Sequence, residues 1–120
     1  MRRDILAAQG TLLDAAQVAD HLGWDMKSVH SHQREGLLLA LPTDTGELGF
    51  PSWQFSEFGL MPGLNDVLRA FGVRDPWMRA AFFLTGNLRL DSRTPLEVLL
   101  RGEVEAVRTA AAAYGEHGAA

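Results

Sequence analysis

Cysteine is absent from this 120-residue chain, which excludes disulfides and thiolate metal sites and fits a reducing compartment. No apolar run is long enough to cross a bilayer. The first ten residues, with Arg2 and Arg3, lack the hydrophobic stretch of a signal peptide, so a cytoplasmic location without membrane association is expected. Repeats, coiled-coil heptads and low-complexity tracts are missing; the run Ala110 to Ala113 is a strong helix former within a longer helical pattern. Cations are scarce in the first half. Residues 1–59 carry Arg2, Arg3, Lys27 and Arg34 against Asp4, Asp14, Asp20, Asp25, Glu35, Asp44, Glu47 and Glu57, whereas residues 60–120 are neutral; the net charge is −4.

Catalytic constellations are also lacking. There is no Gly-rich phosphate loop, no nucleophile elbow and no paired carboxylates in a context suited to acid–base work, so the chain does not read as an enzyme and no cofactor is expected. His30 and His32 are two residues apart, with His21 further upstream; this spacing and the lack of further ligands do not make a metal site.

What the chain does contain is 47% hydrophobic residues, enough for one compact domain or two small lobes. Apolar residues recur at helical spacing from Leu12 to Leu22, pause at Gly23-Trp24-Asp25, and resume over Met26 to Glu35. This predicts a helix opened by Asp14 or its neighbours, a tight turn that uses Gly23, and a second helix over Met26 to Arg34. The small side chain of Ala19 allows close crossing, and Val18, Leu22 and Val29 fill the angle between the helices. The segment resembles the helix-turn-helix of MerR-like and excisionase-like DNA-binding proteins. That resemblance makes Met26 to Arg34 a recognition helix, with Lys27, Ser28, His30, Ser31 and Arg34 facing operator DNA. The scarcity of cations argues against it, because phosphate neutralisation supplies most non-specific affinity and a four-cation lobe offers about four such contacts per copy. Dimerisation would double that number.

Leu37 to Leu41, the turn-forming Pro42 to Gly46, and Glu47 to Phe50 read as a hairpin, the wing of a winged helix-turn-helix. Leu37 to Leu41 alone also fits a buried extended segment. Trp53 and Phe55 are expected to plug the core behind the wing. Gly59 to Gly63 marks a boundary between lobes spanning 1–59 and 60–120.

The second lobe reads as helices. One lies near Leu64 to Phe71, and another is capped by Asp75 with Pro76 in first position. The latter carries Trp77, Ala80, Ala81 and Leu84 as well as Phe82 and Phe83, which cannot all share one face; burial on most sides or a second surface, such as a dimer interface, is required. Thr94, Pro95 and Glu97 compose a capping box with proline at the first helical position. Gly102 closes that short helix, and a last helix runs from Glu103 to Tyr114, stopped by Gly115.

Asn87, Leu90, Thr94-Pro95-Leu96, the Leu99-Leu100-Arg101-Gly102 segment and the closing helix together resemble the toxin-binding domain of MbcA/ParS/Xre-type antitoxins over residues 60–117. Ser92 departs from the pattern, where glycine is expected. The resemblance implies a mainly α-helical protein, a winged helix-turn-helix-like lobe followed by a helical toxin-binding lobe. It implies an antitoxin of a type II toxin-antitoxin pair that occludes the active site of a RES-domain, NAD-consuming, ADP-ribosyltransferase-like toxin, as a homodimer or toxin–antitoxin hetero-oligomer. Under it Arg101, Glu105, Arg108 and Tyr114 would contact the toxin, with Glu116 and His117 nearby; arginine and tyrosine often dominate such interfaces. The alternative is a stand-alone helix-turn-helix transcription regulator whose second half serves dimerisation.

Overall fold

In the computed structural model, residues 2–115 are described, and they contain seven α-helices and five short strands. The chain is mainly helical and divides into two compact units between Met61 and Pro62. This lies within the Gly59 to Gly63 segment expected as the boundary, two residues past the division at 59/60, because Gly59–Leu60 forms a strand that pairs back onto Phe55–Ser56 and so stays with the first unit.

The first unit opens with a helix not anticipated from the sequence, α1 (Arg2–Ala8), which has no buried residues of its own. Gln9 anchors its end: the side-chain amide donates to the Ile5 carbonyl (3.0 Å), and its oxygen accepts from the Trp53 indole (2.9 Å). Leu12–Leu13, the start of the apolar pattern read as helical, form strand β1. The cause is Asp14, whose extended backbone and capping side chain start the helix only at Ala15. Helices α2 (Ala15–Leu22) and α3 (Met26–Arg34) follow.

Beyond α3, Leu38 to Leu41 are at most 3% exposed, yet only Leu41 and Pro42 pair as β2. The hairpin exists, but most of the Leu37 to Leu41 run is buried connecting chain. Strand β3 (Leu48–Pro51) is central, with antiparallel pairing to β2 on one side (Leu41 opposite Gly49) and to β1 on the other (Leu12 opposite Pro51). A 3-10 turn (Ser52–Gln54) then leads to the small antiparallel ribbon of β4 (Phe55–Ser56) and β5 (Gly59–Leu60). Val18, Ala19, Val29, Leu38, Ala40 and Phe50 form this unit's core.

Of the two aromatics expected to plug that core, Phe55 packs against its edge, whereas Trp53 is held by Gln9. Both are half-buried, and the fully buried side chain between them is Gln54. Its amide oxygen accepts from the Leu39 N–H (2.9 Å), while its nitrogen donates to the carbonyls of Leu39 (2.9 Å) and Pro51 (3.1 Å). A hydrophobic side chain cannot serve backbone groups in this way.

The second unit contains α4 (Leu64–Ala70), α5 (Pro76–Leu84), a 3-10 turn (Leu88–Leu90), α6 (Pro95–Leu100) and α7 (Val104–Ala113). Helix α4 packs chiefly on α7. At the α4 entrance Gly63 has φ +84, and a Cβ there would meet Val104 Cγ2 at 2.5 Å, so both conformation and space demand glycine. Phe82 and Phe83 are both buried. Their cover comes from the same unit: Phe71 makes edge contacts with Phe82 (5.1 Å) and Phe83 (5.9 Å), and Tyr114 stacks near Phe82 (5.0 Å). No dimer interface is needed to explain them. Arg79 on α5 is buried too, with Nε donating to the Val73 carbonyl (2.9 Å) and the guanidinium over the Phe71 ring. Burial, and secondarily the charge of Arg74, lowers its pKa.

Ser92 accommodates the missing glycine by itself adopting a left-handed conformation (φ 66), as does Asp91 before it (φ 57). The Ser92 carbonyl comes so close to Gly86 that a Cβ there would lie 2.6 Å away.

Replacing Gln54 with leucine leaves the Leu39 N–H and C=O without partners in the interior. A loss of about 3 kcal/mol in unfolding free energy is expected in urea titrations, since each unsatisfied buried group costs roughly 1–3 kcal/mol.

Candidate nucleic-acid interface

Helices α2 and α3 are each set by a carboxylate at the start. Asp14 accepts from the Gln17 amide (2.7 Å), and the Gln17 side chain accepts from the Asp14 amide (2.9 Å), a reciprocal capping box. Gly23 closes α2 in the left-handed region (φ 68). Asp25 then caps α3 by accepting from the Ser28 amide (2.7 Å). That hydrogen bond, strengthened by one from the Ser28 side chain, holds the Asp25 carboxyl below its usual pKa. Val18 and Val29, both fully buried, fill the angle between the helices.

With Val29 directed inward, the 3.6-residue period turns Lys27, His30, Ser31 and Arg34 toward the opposite face of α3. Lys27 and Arg34 are exposed; His30 and Ser31 are half-buried. The four side chains make no hydrogen bond or ion pair among the described residues. Ser28 differs, since its amide and its side chain both serve Asp25. His32 is a packing residue, stacked on Trp24 at 4.3 Å, with its Nδ1 2.8 Å from the Ser28 carbonyl.

The wing stands beside this face. A cleft of about 360 Å³ is lined by Asp14, Ala15, Ala16, Met26, His30, Glu47 and Leu48, which brings together the start of α2, one flank of α3 and the first residues of β3. Its walls are apolar at Ala15, Ala16, Met26 and Leu48 and polar at its rim. Among the described residues no group of three or more histidine or acidic side chains is arranged to hold a metal ion.

The residues expected to contact a toxin are less concerted. Arg101 is exposed at the end of α6. Arg108 and Glu105 are occupied with each other in a two-pronged ion pair, which lowers the Glu105 pKa and raises that of Arg108. Tyr114 belongs to the aromatic cluster, 6.3 Å from Phe71 and 5.0 Å from Phe82, and burial raises its phenol pKa. Glu116 and His117 lie outside the described residues. Sequence reasoning overlooked two features of the second unit: Leu88 and Leu100, 90% and 67% exposed. Leu100 was legible as an apolar residue at the end of a short helix, one position past the buried Leu99.

The fold is similar to that of Rv2175c, known from an NMR structure, with a TM-score of 0.65 and 26% sequence identity over 84% of this chain and 79% of that one. No protein-family profile and no curated protein matches the chain. No helix among the described residues is long and apolar enough to cross a membrane.

The cap of α3 yields a pH signature. Because the folded pKa of Asp25 is depressed, its stabilisation is present above the ordinary carboxylate range and is lost as pH falls through the lowered folded value. Asp25→Ala is therefore expected to be less stable than the parent chain at neutral pH. The difference should shrink in acid, as followed by thermal unfolding across a pH series.

Proposed function

We propose that the first unit is a winged helix-turn-helix that binds duplex DNA as a transcription regulator, with α3 laid in the major groove. The observation that carries this reading is the outward face of α3: among the described residues Lys27, His30, Ser31 and Arg34 make no side-chain hydrogen bond or ion pair, and they stand beside an open cleft shared with the wing. In this reading Lys27 and Arg34 contact phosphates or guanine edges, and His30 and Ser31 supply polar contacts to base edges. The role is one of binding, with no reaction on this chain.

The negative charge of the unit is less adverse than its sum suggests. Asp14 and Asp25 sit at the positive ends of α2 and α3, where the helix partial charge of about +0.5 offsets part of each carboxylate. Low affinity for any single copy still follows, and two copies on one operator would supply the remaining contacts.

Lys27→Ala/Arg34→Ala should weaken duplex binding and flatten the logarithmic salt dependence by about 1.8, roughly 0.9 for each lost phosphate contact. Fluorescence anisotropy against a salt series measures both. An unchanged salt slope would exclude α3 as the contact surface.

A second reading is favoured by one observation, the exposed Leu88 and Leu100 with Arg101 beside the latter. Apolar side chains next to an exposed arginine suit a protein partner. We infer that, if this chain is an antitoxin for a RES-type toxin, this surface and not Tyr114 makes the contact. In that case Leu100→Asp/Arg101→Glu should abolish neutralisation of the toxin in a growth assay, whereas the Lys27/Arg34 variant should still neutralise it.

A further inference from the structure

The wing is unusual for a DNA-binding hairpin in what it carries. From Leu41 to Pro51 it holds no lysine or arginine, and Asp44 and Glu47 are its charged residues, both exposed. Its turn is firmly held. The Thr43 N–H and hydroxyl both donate to the Glu47 carbonyl (2.8 Å each), the Gly46 N–H donates to the Thr43 carbonyl (2.9 Å), and the Thr45 hydroxyl lies 3.4 Å from the Glu47 N–H. The Glu47 main chain is thus fixed in the turn. Glu47 lines the same cleft as Met26 and His30 of α3.

A duplex seated on α3 therefore brings its phosphates toward Glu47, and Asp44 on the same turn adds a second carboxylate that no cation in the wing neutralises. We infer that the wing acts as an electrostatic brake on non-specific DNA binding: Asp44 and Glu47 repel the phosphate backbone, leaving α3 as the site of attraction. Repulsion of this kind acts on every duplex regardless of sequence and lowers the residence of the protein on DNA that α3 does not recognise. The inference rests on the DNA-binding reading above.

The structure also supplies a control of equal charge. Asp20 and Glu57 are two further exposed carboxylates of the same unit. Asp20 lies by the far end of α2, where His21 Nε2 is 2.7 Å from the Ser56 carbonyl, and Glu57 follows in the β4–β5 ribbon. Asp20 follows Ala16 of the cleft by four residues, about 6 Å along α2, but neither Asp20 nor Glu57 lines the cleft itself. At about 0.1 M salt the screening length is about 10 Å, so the carboxylate that lines the cleft acts most strongly on a bound duplex.

The experiment compares the full chain with Asp44→Asn/Glu47→Gln and with Asp20→Asn/Glu57→Gln, using a short labelled duplex of mixed sequence at about 0.1 M salt. The wing substitutions keep side-chain shape, and the hydrogen bonds at Glu47 involve its main chain, so the turn survives them. The expected result is about fivefold tighter binding for the wing variant and less than about twofold for the pair outside the cleft. Equal tightening by both would assign the effect to net charge and overturn the inference. So would an unchanged affinity of the wing variant alongside measurable binding by the parent chain. If no form binds the duplex even at low salt, the DNA-binding reading fails and takes the brake with it.

Discussion

A single side-chain amide holds the first unit together where its backbone ladder stops. Leu39 precedes the wing and Gln54 follows it, and the two strands between them contribute only a few ladder residues. The Gln54 amide extends that ladder by pairing with both the N–H and the C=O of Leu39, as a neighbouring strand would. Because the site is fully buried, water cannot substitute. The connecting run of Leu38 to Leu41 can therefore stay in the interior without being a strand, and the position of the wing against α3 depends on this bond pair.

Carboxylates play two opposed roles in the molecule. At Asp14, Asp25 and Asp75 they accept backbone N–H groups at helix starts and are part of the folding code. At Asp44 and Glu47 they cap no helix and project from a rigid turn. A formal charge summed over residues merges these populations. Of the second population, Glu47 lines the cleft beside α3. The second unit shows the complementary case, in which Glu105 and Arg108 spend their charge on each other.

Much of the fold was legible because its signals are local. Asp14, Gly23, Asp75 with Pro76, and the Thr94–Glu97 box are each read within a few residues, and the helices begin and end close to where these residues place them. The misses share a different cause. Strand β1 depends on Pro51 and Phe50, far along the chain, and two leucines before a helix cannot announce such a partner. Gln54 lies between Trp53 and Phe55, and hydropathy assigns the core to the aromatics, whereas backbone hydrogen bonding assigned it to the amide. Phe82 and Phe83 demanded burial on most sides or a second surface; the first holds, and periodicity could not tell a partner copy from Phe71 and Tyr114 of the same chain. Of the candidate site, the outward face of α3 was readable from its period. The engagement of Ser28, Arg108 and Tyr114 elsewhere was not, because it is a property of neighbours in space.

The pairing of β1 with β3 has a topological consequence. One strand precedes α2 and the other follows the wing turn, so α2, α3 and β2 all lie inside a loop whose ends are zipped side by side. A helix pair tethered in this way cannot fray from either terminus. It cannot be traded with another chain while Leu12 remains on Pro51. Opening of α3 is thereby tied to loss of the sheet, and its amide protons should exchange with solvent at the pace of the whole unit rather than at that of an isolated nine-residue helix.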